Sequence, residues 1–312
     1  MEAKGLITLN IDGKPLEKLI QVVSDGIGTL YRPRKIRREA DAQAYAIKVL
    51  EGAKAEAGAL STLMDSDTAS RIGQRLISKE IRRQENIDAV VEIAAENLQG
   101  KDVSDNPVEL DWASRFFEIV QDVSKDEMKV LWAKILAKEI ERPSSYSLRT
   151  LELLRNISFE EAELFSKISE FVFIQERYSF VFTGNNELKK YGLHYYYLSK
   201  LREAGLLQTG EGVTRTFRSS ESSVDTYKFV CGNYYLVLTI PPKSKKIVLP
   251  ILLLSQAGCE LFELTEHKDN LGYLKDFAAF VKKESPTVSV KYGSILERER
   301  TKIKYALPLI DL

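Results

Sequence analysis

Cysteine and histidine are nearly missing from this chain, with two of each in 312 residues. Cys231 and Cys259 form no CxxC pair and are too few for a disulfide framework. His194 and His267 stand far apart, and neither belongs to an HExxH or comparable ligand pair. No GxxxxGK[ST], GxGxxG or GxSxG occurs, so the familiar phosphate-cradling loops and nucleophile elbows are excluded as motifs. Gly26 and Gly28 fall in an SDGIGTLY segment with no strand-loop-helix context. Net charge is missing as well: 45 Lys and Arg balance 45 Asp and Glu. That balance argues against a surface that is one large nucleic-acid footprint, while leaving local patches open. Long apolar runs are lacking too. The most apolar window, IVLPILLL at 247–254, is far shorter than the roughly 20 residues a membrane helix needs, and it reads as a buried strand. The first residues, MEAKGLITLN, lack a basic-then-apolar leader, so a cytoplasmic location is expected. No cofactor and no small-molecule substrate are inferred, and the chain is expected not to be an enzyme. Pairs such as Glu160 and Glu161 follow from the preference of helix starts for acidic residues. Whether dispersed Asp and Glu converge in space stays open at this level.

What the chain does have is a dense set of helix signals between Asp122 and Phe171. Ser124 and Glu127 have capping-box spacing, with Val123 and Met128 placed as a hydrophobic staple. Met128, Leu131, Trp132, Ile135, Leu136 and Ile140 then recur at three- and four-residue intervals, with Lys129, Lys134 and Lys138 on the other side. Pro143 ends this helix. A second runs from about Ser147 through Leu148, Leu151 and Leu154, and a second capping box at Ser158 and Glu161 opens a third.

These residues carry a family resemblance. LWAKILAKEI, the Pro, SLRTLELLRNIS and EEAELF resemble an uncharacterised bacterial and prophage-borne family, domain of unknown function 2806, and more weakly the Abi-alpha family associated with abortive infection. DWASRFFEIVQD, LREAGLL and LLLSQAGCEL extend the likeness over most of the chain. The resemblance implies a bacterial protein of prophage or phage-defence context that acts through protein contacts and self-association. It brings no catalytic residues. Tyr146 and Arg149, beside Pro143, are the signature residues with no structural role assigned by period or capping.

Upstream, LITLNID at 6–12 suggests a strand or extended arm. Leu16, Leu19, Ile20, Val23, Ile27 and Leu30 make an apolar helical stripe, followed by Arg34, Lys35, Arg37 and Arg38. The stripe serves either as a buried face or, with those cations, as a membrane-active segment. Residues 36–60 and 67–98 read as two long helices forming an antiparallel hairpin, with a kink or register change expected at RRQEN, 82–86. Arg71, Arg75, Lys79 and Arg82 or Arg83 form a basic stripe on the second, either a solvated face or a phosphate-following one. GKDVSDNP at 100–107 is the clearest linker, and the Asp111 carboxylate is placed to cap the helix carrying Trp112, Phe116, Phe117 and Val120.

Beyond Phe171, VFIQERYSFVF reads as strand or helix end, and a helix through Leu193, Tyr197, Leu198 and Leu201 stops at Gly205. The Gly/Ser stretch 209–225 reads as a mobile loop, followed by strands at 227–240 and 247–254 around a PPKSKK turn. Helix, then hairpin, is the order of a winged-helix domain, which would aim His194, Tyr195, Tyr196, Lys200 and Arg202 at a major groove, with Arg215 and Arg218 on the wing. Further helices are expected from Gln256 and over 271–281, and terminal strands at 287–292 and 302–309. The expected fold is α+β, mainly α: a helical hairpin region (1–100), a compact helical domain (101–174) and a winged-helix-like α+β domain (175–312). The expected partners are a second copy of the chain and an unknown protein, with DNA and a membrane surface as alternatives.

Overall fold

The computed structural model describes residues 13–31, 51–52, 66–176, 178–184, 187–210, 212–266, 268–298 and 302–312. The arm at 6–12, the cations Arg34, Lys35, Arg37 and Arg38, almost all of the expected helix 36–60 and His267 lie outside the described residues. The chain is α+β and divides into two compact units, residues 1–151 and 152–312.

The first unit is helical. It holds α1 (Gly13–Ile27), α2 (Ser66–Leu98), α3 (Leu110–Val120) and α4 (Asp126–Glu141). The apolar stripe of α1 is a core face: Leu19, Val22 and Val23 are buried, against α3. The two helices approach so closely that a Cβ on Gly26 would stand 2.3 Å from a Phe117 ring carbon and 2.8 Å from the Ala113 carbonyl. Gly26 is therefore the residue that permits the packing. α2 continues through RRQEN, where a kink or register change is expected. α2 runs unbroken for 33 residues, about 50 Å at 1.5 Å per residue.

α4 packs along α2, and it is buried on more sides than its period suggests. Trp132, Ile135, Leu136 and Ile140 are covered as expected, but so are Ala133, Ala137 and Glu139. Small residues between the large ones let neighbours approach on both flanks. Trp112 stacks on Phe116 at 5.0 Å, and Phe116 meets Trp132 edge to face at 5.5 Å. Two expected caps are displaced. Lys125, not Ser124, occupies the N-cap of α4, and Glu109, not Asp111, that of α3; neither makes a side-chain capping bond. Asp126 and Glu127 instead fall inside the first turn, where the helix dipole favours carboxylates.

α5 (Leu148–Asn156) crosses the division between the units. In the second unit, α6 (Phe159–Ser169) forms the predicted capping box at Ser158 and Glu161. The strands β1 (Val172–Gln175) and β2 (Tyr178–Phe182) pair as a hairpin. After α7 (Glu187–Lys190) and α8 (Tyr195–Glu203), Gly205 takes φ +75° and the Leu206 amide bonds back to the Leu201 carbonyl, the expected helix stop. Then come β3 (Thr214–Phe217), β4 (Asp225–Cys231), β5 (Tyr234–Ile240), β6 (Ile247–Leu253), α9 (Gln256–Phe262), α10 (Leu271–Glu284), β7 (Ser289–Arg298), β8 (Ile303–Tyr305) and β9 (Ile310–Asp311).

The strands form one antiparallel sheet in the order β3-β6-β2-β1-β4-β5-β7-β8, with β9 also on β7. This overturns the hairpin read across the PPKSKK turn. β4 and β5 pair with each other around Gly232, while β6 lies on the other side of β1 and β2, between β2 and β3. The stretch 209–225 is likewise not wholly loop, since it contains β3. The wing-like segments are thus parts of a large sheet whose buried face carries Phe173, Phe180, Phe182, Phe217 and Phe229. Tyr273 and Phe277 of α10 close over them: Phe173 meets Phe277 at 4.8 Å, and the Tyr273 hydroxyl donates to the Phe182 carbonyl at 2.8 Å.

Candidate functional site

The two halves of α2 have different surroundings. From Asn86 to Leu98 the helix sits in the core, with Ile87, Val90, Val91, Ala94, Ala95 and Leu98 buried. Before that, the buried face thins to Gly73 with half-buried Ile72, Leu76 and Ile77, and Ile81 is 49% exposed. The opposite face presents Arg71, Arg75, Lys79 and Arg82 to solvent. These four of the expected basic residues do fall on one stripe. Arg71 reaches Asp67 at 3.5 Å, both side chains being well exposed. No ion pair forms to Arg75, Lys79 or Arg82 among the described residues.

Arg83 belongs to a different arrangement. Its Nε and Nη2 donate to the two carboxylate oxygens of Asp122 at 3.0 and 3.1 Å, and its Nη1 donates to Glu80 at 3.2 Å. The hydrogen bond from Arg83 holds the Asp122 carboxyl below the usual carboxylate range and in return raises the guanidinium pKa. Lys79 and Arg82 also lower Asp122 through space. This fork fixes the turn after α3 to α2. Beside it a polar groove of about 330 Å³ is lined by Gly26, Thr29, Glu80, Arg83, Gln84 and Gln121. Behind the groove, buried Asp88 accepts from Gln84 at 2.9 Å and from the Tyr31 hydroxyl at 3.1 Å, and buried Asn86 donates to the Gln121 carbonyl at 2.9 Å. Of the charged groups on its lining, Arg83 pairs with Glu80 and with Asp122 beside the groove, and Glu118 pairs with Arg115 at 3.2 Å.

The signature residues separate. Tyr146 is buried, and its amide is one of three that donate to the carboxylate of Glu139: Ser144 at 2.6 Å, Ser145 at 3.0 Å and Tyr146 at 3.1 Å. Glu139 is 2% exposed, so this carboxylate is the internal anchor of the RPSSY turn, and it holds Ser144 at the left-handed φ of 67°. Arg149, on the first turn of α5, is exposed. Sequence reasoning missed Glu139 and Asn86. The signal for both was a polar residue in register with the core: Glu139 next to Ile140 and before a Pro-Ser-Ser turn, Asn86 one turn before Val90.

In the second unit the residues expected on a recognition helix lie on α8 or at its N-cap. His194, Tyr195 and Tyr196 are exposed at the start of α8. Lys200 is engaged by Glu160 at 2.9 Å, which raises its pKa, and it lies over the Tyr196 ring. Arg202 is half-buried with its Nε covered and without a hydrogen bond. Arg215 is stacked among Tyr178, Phe180 and Phe217, with its guanidinium 4.6 Å from the Tyr178 ring centre, and Arg218 is exposed. Burial drives the Cys231 thiol pKa strongly upward, which opposes the thiolate form that reactive cysteines use. Among the described residues no group of three or more His, Cys, Asp and Glu could hold a metal ion, and no helix is long and apolar enough to cross a membrane.

No curated protein and no solved structure matches this chain. A family model does: the one described as Protein of unknown function (DUF2806) matches residues 70–278, from the exposed half of α2 into α10, and the chain, more than half of it covered, belongs to that family.

Proposed function

We propose that this is a non-enzymatic protein that works through protein contacts, first of all with further copies of itself. The observation that carries the reading is the leading half of α2, where Ile72, Leu76, Ile77 and Ile81 follow one another at helical spacing while remaining partly or largely in water. Covering such a seam gains about 25 cal/mol for each Å² of apolar surface removed from water. A second α2 laid against it would bury matching side chains along the same length, as in paired helices generally. The buried carboxylates support the same reading, because their visible bonds are architectural: Glu139 grips three backbone amides and Asp88 holds Tyr31 and Gln84. The prophage or phage-defence setting comes from the resemblance of the signature stretch.

Light scattering at micromolar concentration tests the reading. The expected mass is a dimer or larger, falling to the monomer in an Ile77→Glu, Ile81→Glu double variant that keeps its thermal transition. A wild-type monomer at tens of micromolar sinks it.

A further inference from the structure

We propose that the exposed basic face of α2 binds the phosphate backbone of a nucleic-acid duplex without reading its bases. This goes beyond self-association and uses the opposite side of the helix, so either idea can fail alone. The chain as a whole carries 45 basic and 45 acidic residues, and general attraction to polyanions is therefore weak. On the leading half of α2 the balance is basic, with Arg71, Arg75, Lys79, Arg82 and Arg83 against Asp67, Glu80 and Glu85. Arg75, Lys79 and Arg82 stand in solvent without ion pairs among the described residues, and Arg71 has an exposed pair with Asp67 at 3.5 Å, of the kind worth little in water, and a 3.4 Å hydrogen bond to the Thr68 hydroxyl. From Arg71 to Arg82 the helix rises roughly 16 Å. Duplex DNA carries about one charge per 1.7 Å of its axis, so a straight line of cations of this length meets several phosphates in any register.

No aromatic side chain is interleaved with these cations, as stacking on unpaired bases would require, which favours a duplex over a single strand. Ile72 and Leu76, three residues before Arg75 and Lys79, border the stripe and are partly exposed, so a lipid surface is set against the duplex in the test. Asp122 is the opposing charge. It clamps Arg83 at 3.0 Å and lies in the field of Lys79 and Arg82, capping one end of the stripe with negative potential. Removing it should expose the stripe's full charge and release a fifth cation.

The test is binding of the full-length protein to a labelled mixed-sequence duplex, across a salt series. With four phosphate contacts the expected slope of log K against log salt is about −3.6, which is roughly a hundredfold loss between 50 and 200 mM. The Arg75→Gln, Lys79→Gln, Arg82→Gln variant should bind at least tenfold more weakly at low salt and flatten the slope by about 2.7. Asp122→Asn should bind several-fold more tightly, and its thermal transition shows whether it remains folded. A single Lys134→Gln change, on α4, should leave binding unaltered. The proposal is overturned by no retention at low salt, by a triple variant that binds like wild type, or by a folded Asp122→Asn variant that does not gain affinity. Stronger retention on phosphatidylserine vesicles than on duplex also overturns it, in favour of a lipid surface.

Discussion

Both compact units bury rings, but among the described residues the buried carboxylates, Asp88 and Glu139, belong to the first. Residues 1–151 enclose Asn86, Asp88 and Glu139, each hydrogen-bonded to a neighbouring turn or side chain. Residues 152–312 enclose a continuous set of aromatic contacts from Phe217 through Phe229, Phe173 and Phe277 to Phe182. The difference follows from secondary structure. Antiparallel strands satisfy each other's backbone groups, so side chains are free to be apolar. Helix ends leave free amides and carbonyls, and in the first unit Glu139 and Asn86 meet such groups at turns. The signature stretch 122–171 is therefore mostly an internal brace, and the candidate binding charges lie outside it, on the part of α2 that the core does not claim but still within the matched residues 70–278.

The aromatic side of this contrast should show the largest single effect. Phe173→Ala removes a ring that touches Phe180, Phe229, Tyr273 and Phe277, and it is expected to cost about 3–5 kcal/mol in urea unfolding. A loss near 1 kcal/mol would mean that the sheet does not depend on this cluster. Next comes the polar brace. Glu139→Ala strands three amides with no acceptor, and the expected cost is about 2–4 kcal/mol, with Glu139→Gln intermediate because one acceptor oxygen remains. Both tryptophans, Trp112 and Trp132, are in the first unit, so their fluorescence follows this change directly.

The Arg83 fork should matter less, since the Asp122 side chain is 51% exposed and exposed pairs are worth about 0–1 kcal/mol. Its pH dependence has a fixed sign. Asp122 is held below its unfolded pKa, so its contribution is present above about pH 4, the ordinary carboxylate value, and fades as the pH falls through the folded value. Arg83→Ala should lower stability by about 0–1 kcal/mol at neutral pH, converge on wild type in acid, and so remove that acid-side component of the tryptophan-detected transition. An acid transition that keeps its shape in the variant would assign the component elsewhere.

The comparison also explains what was legible in the sequence. Helices declared themselves through period and caps, as at Ser158 and Glu161, because those signals are local. Lys125 took the cap expected of Ser124, a one-residue slip within the usual spread of helix boundaries. Strand partners were not legible: β3 pairs with β6 across the whole β4–β5 hairpin, and nothing in Thr214–Phe217 names that partner. For the basic stripe, the period was readable but the division of labour between Arg82 and Arg83 was not. It is set by Asp122, 39 residues away in the chain.

Arg149 gives the smallest and sharpest test of whether the signature is scaffold alone. Its neighbours are consumed by structure: Tyr146 is buried with its amide on Glu139, and Thr150 is buried with its amide on the Ser147 hydroxyl at 3.3 Å. Arg149 points into solvent on the first turn of α5, where the helix dipole disfavours a cation. Replacing it should therefore cost nothing, and Arg149→Ala is expected to leave the urea midpoint within about 0.5 kcal/mol of wild type, with a slight gain more natural than a loss. A loss above about 1 kcal/mol would make Arg149 part of the brace and extend the scaffold to every residue of the signature. An unchanged midpoint leaves a cation held at a helix start without a structural return, which is how a contact residue for an acidic partner would behave.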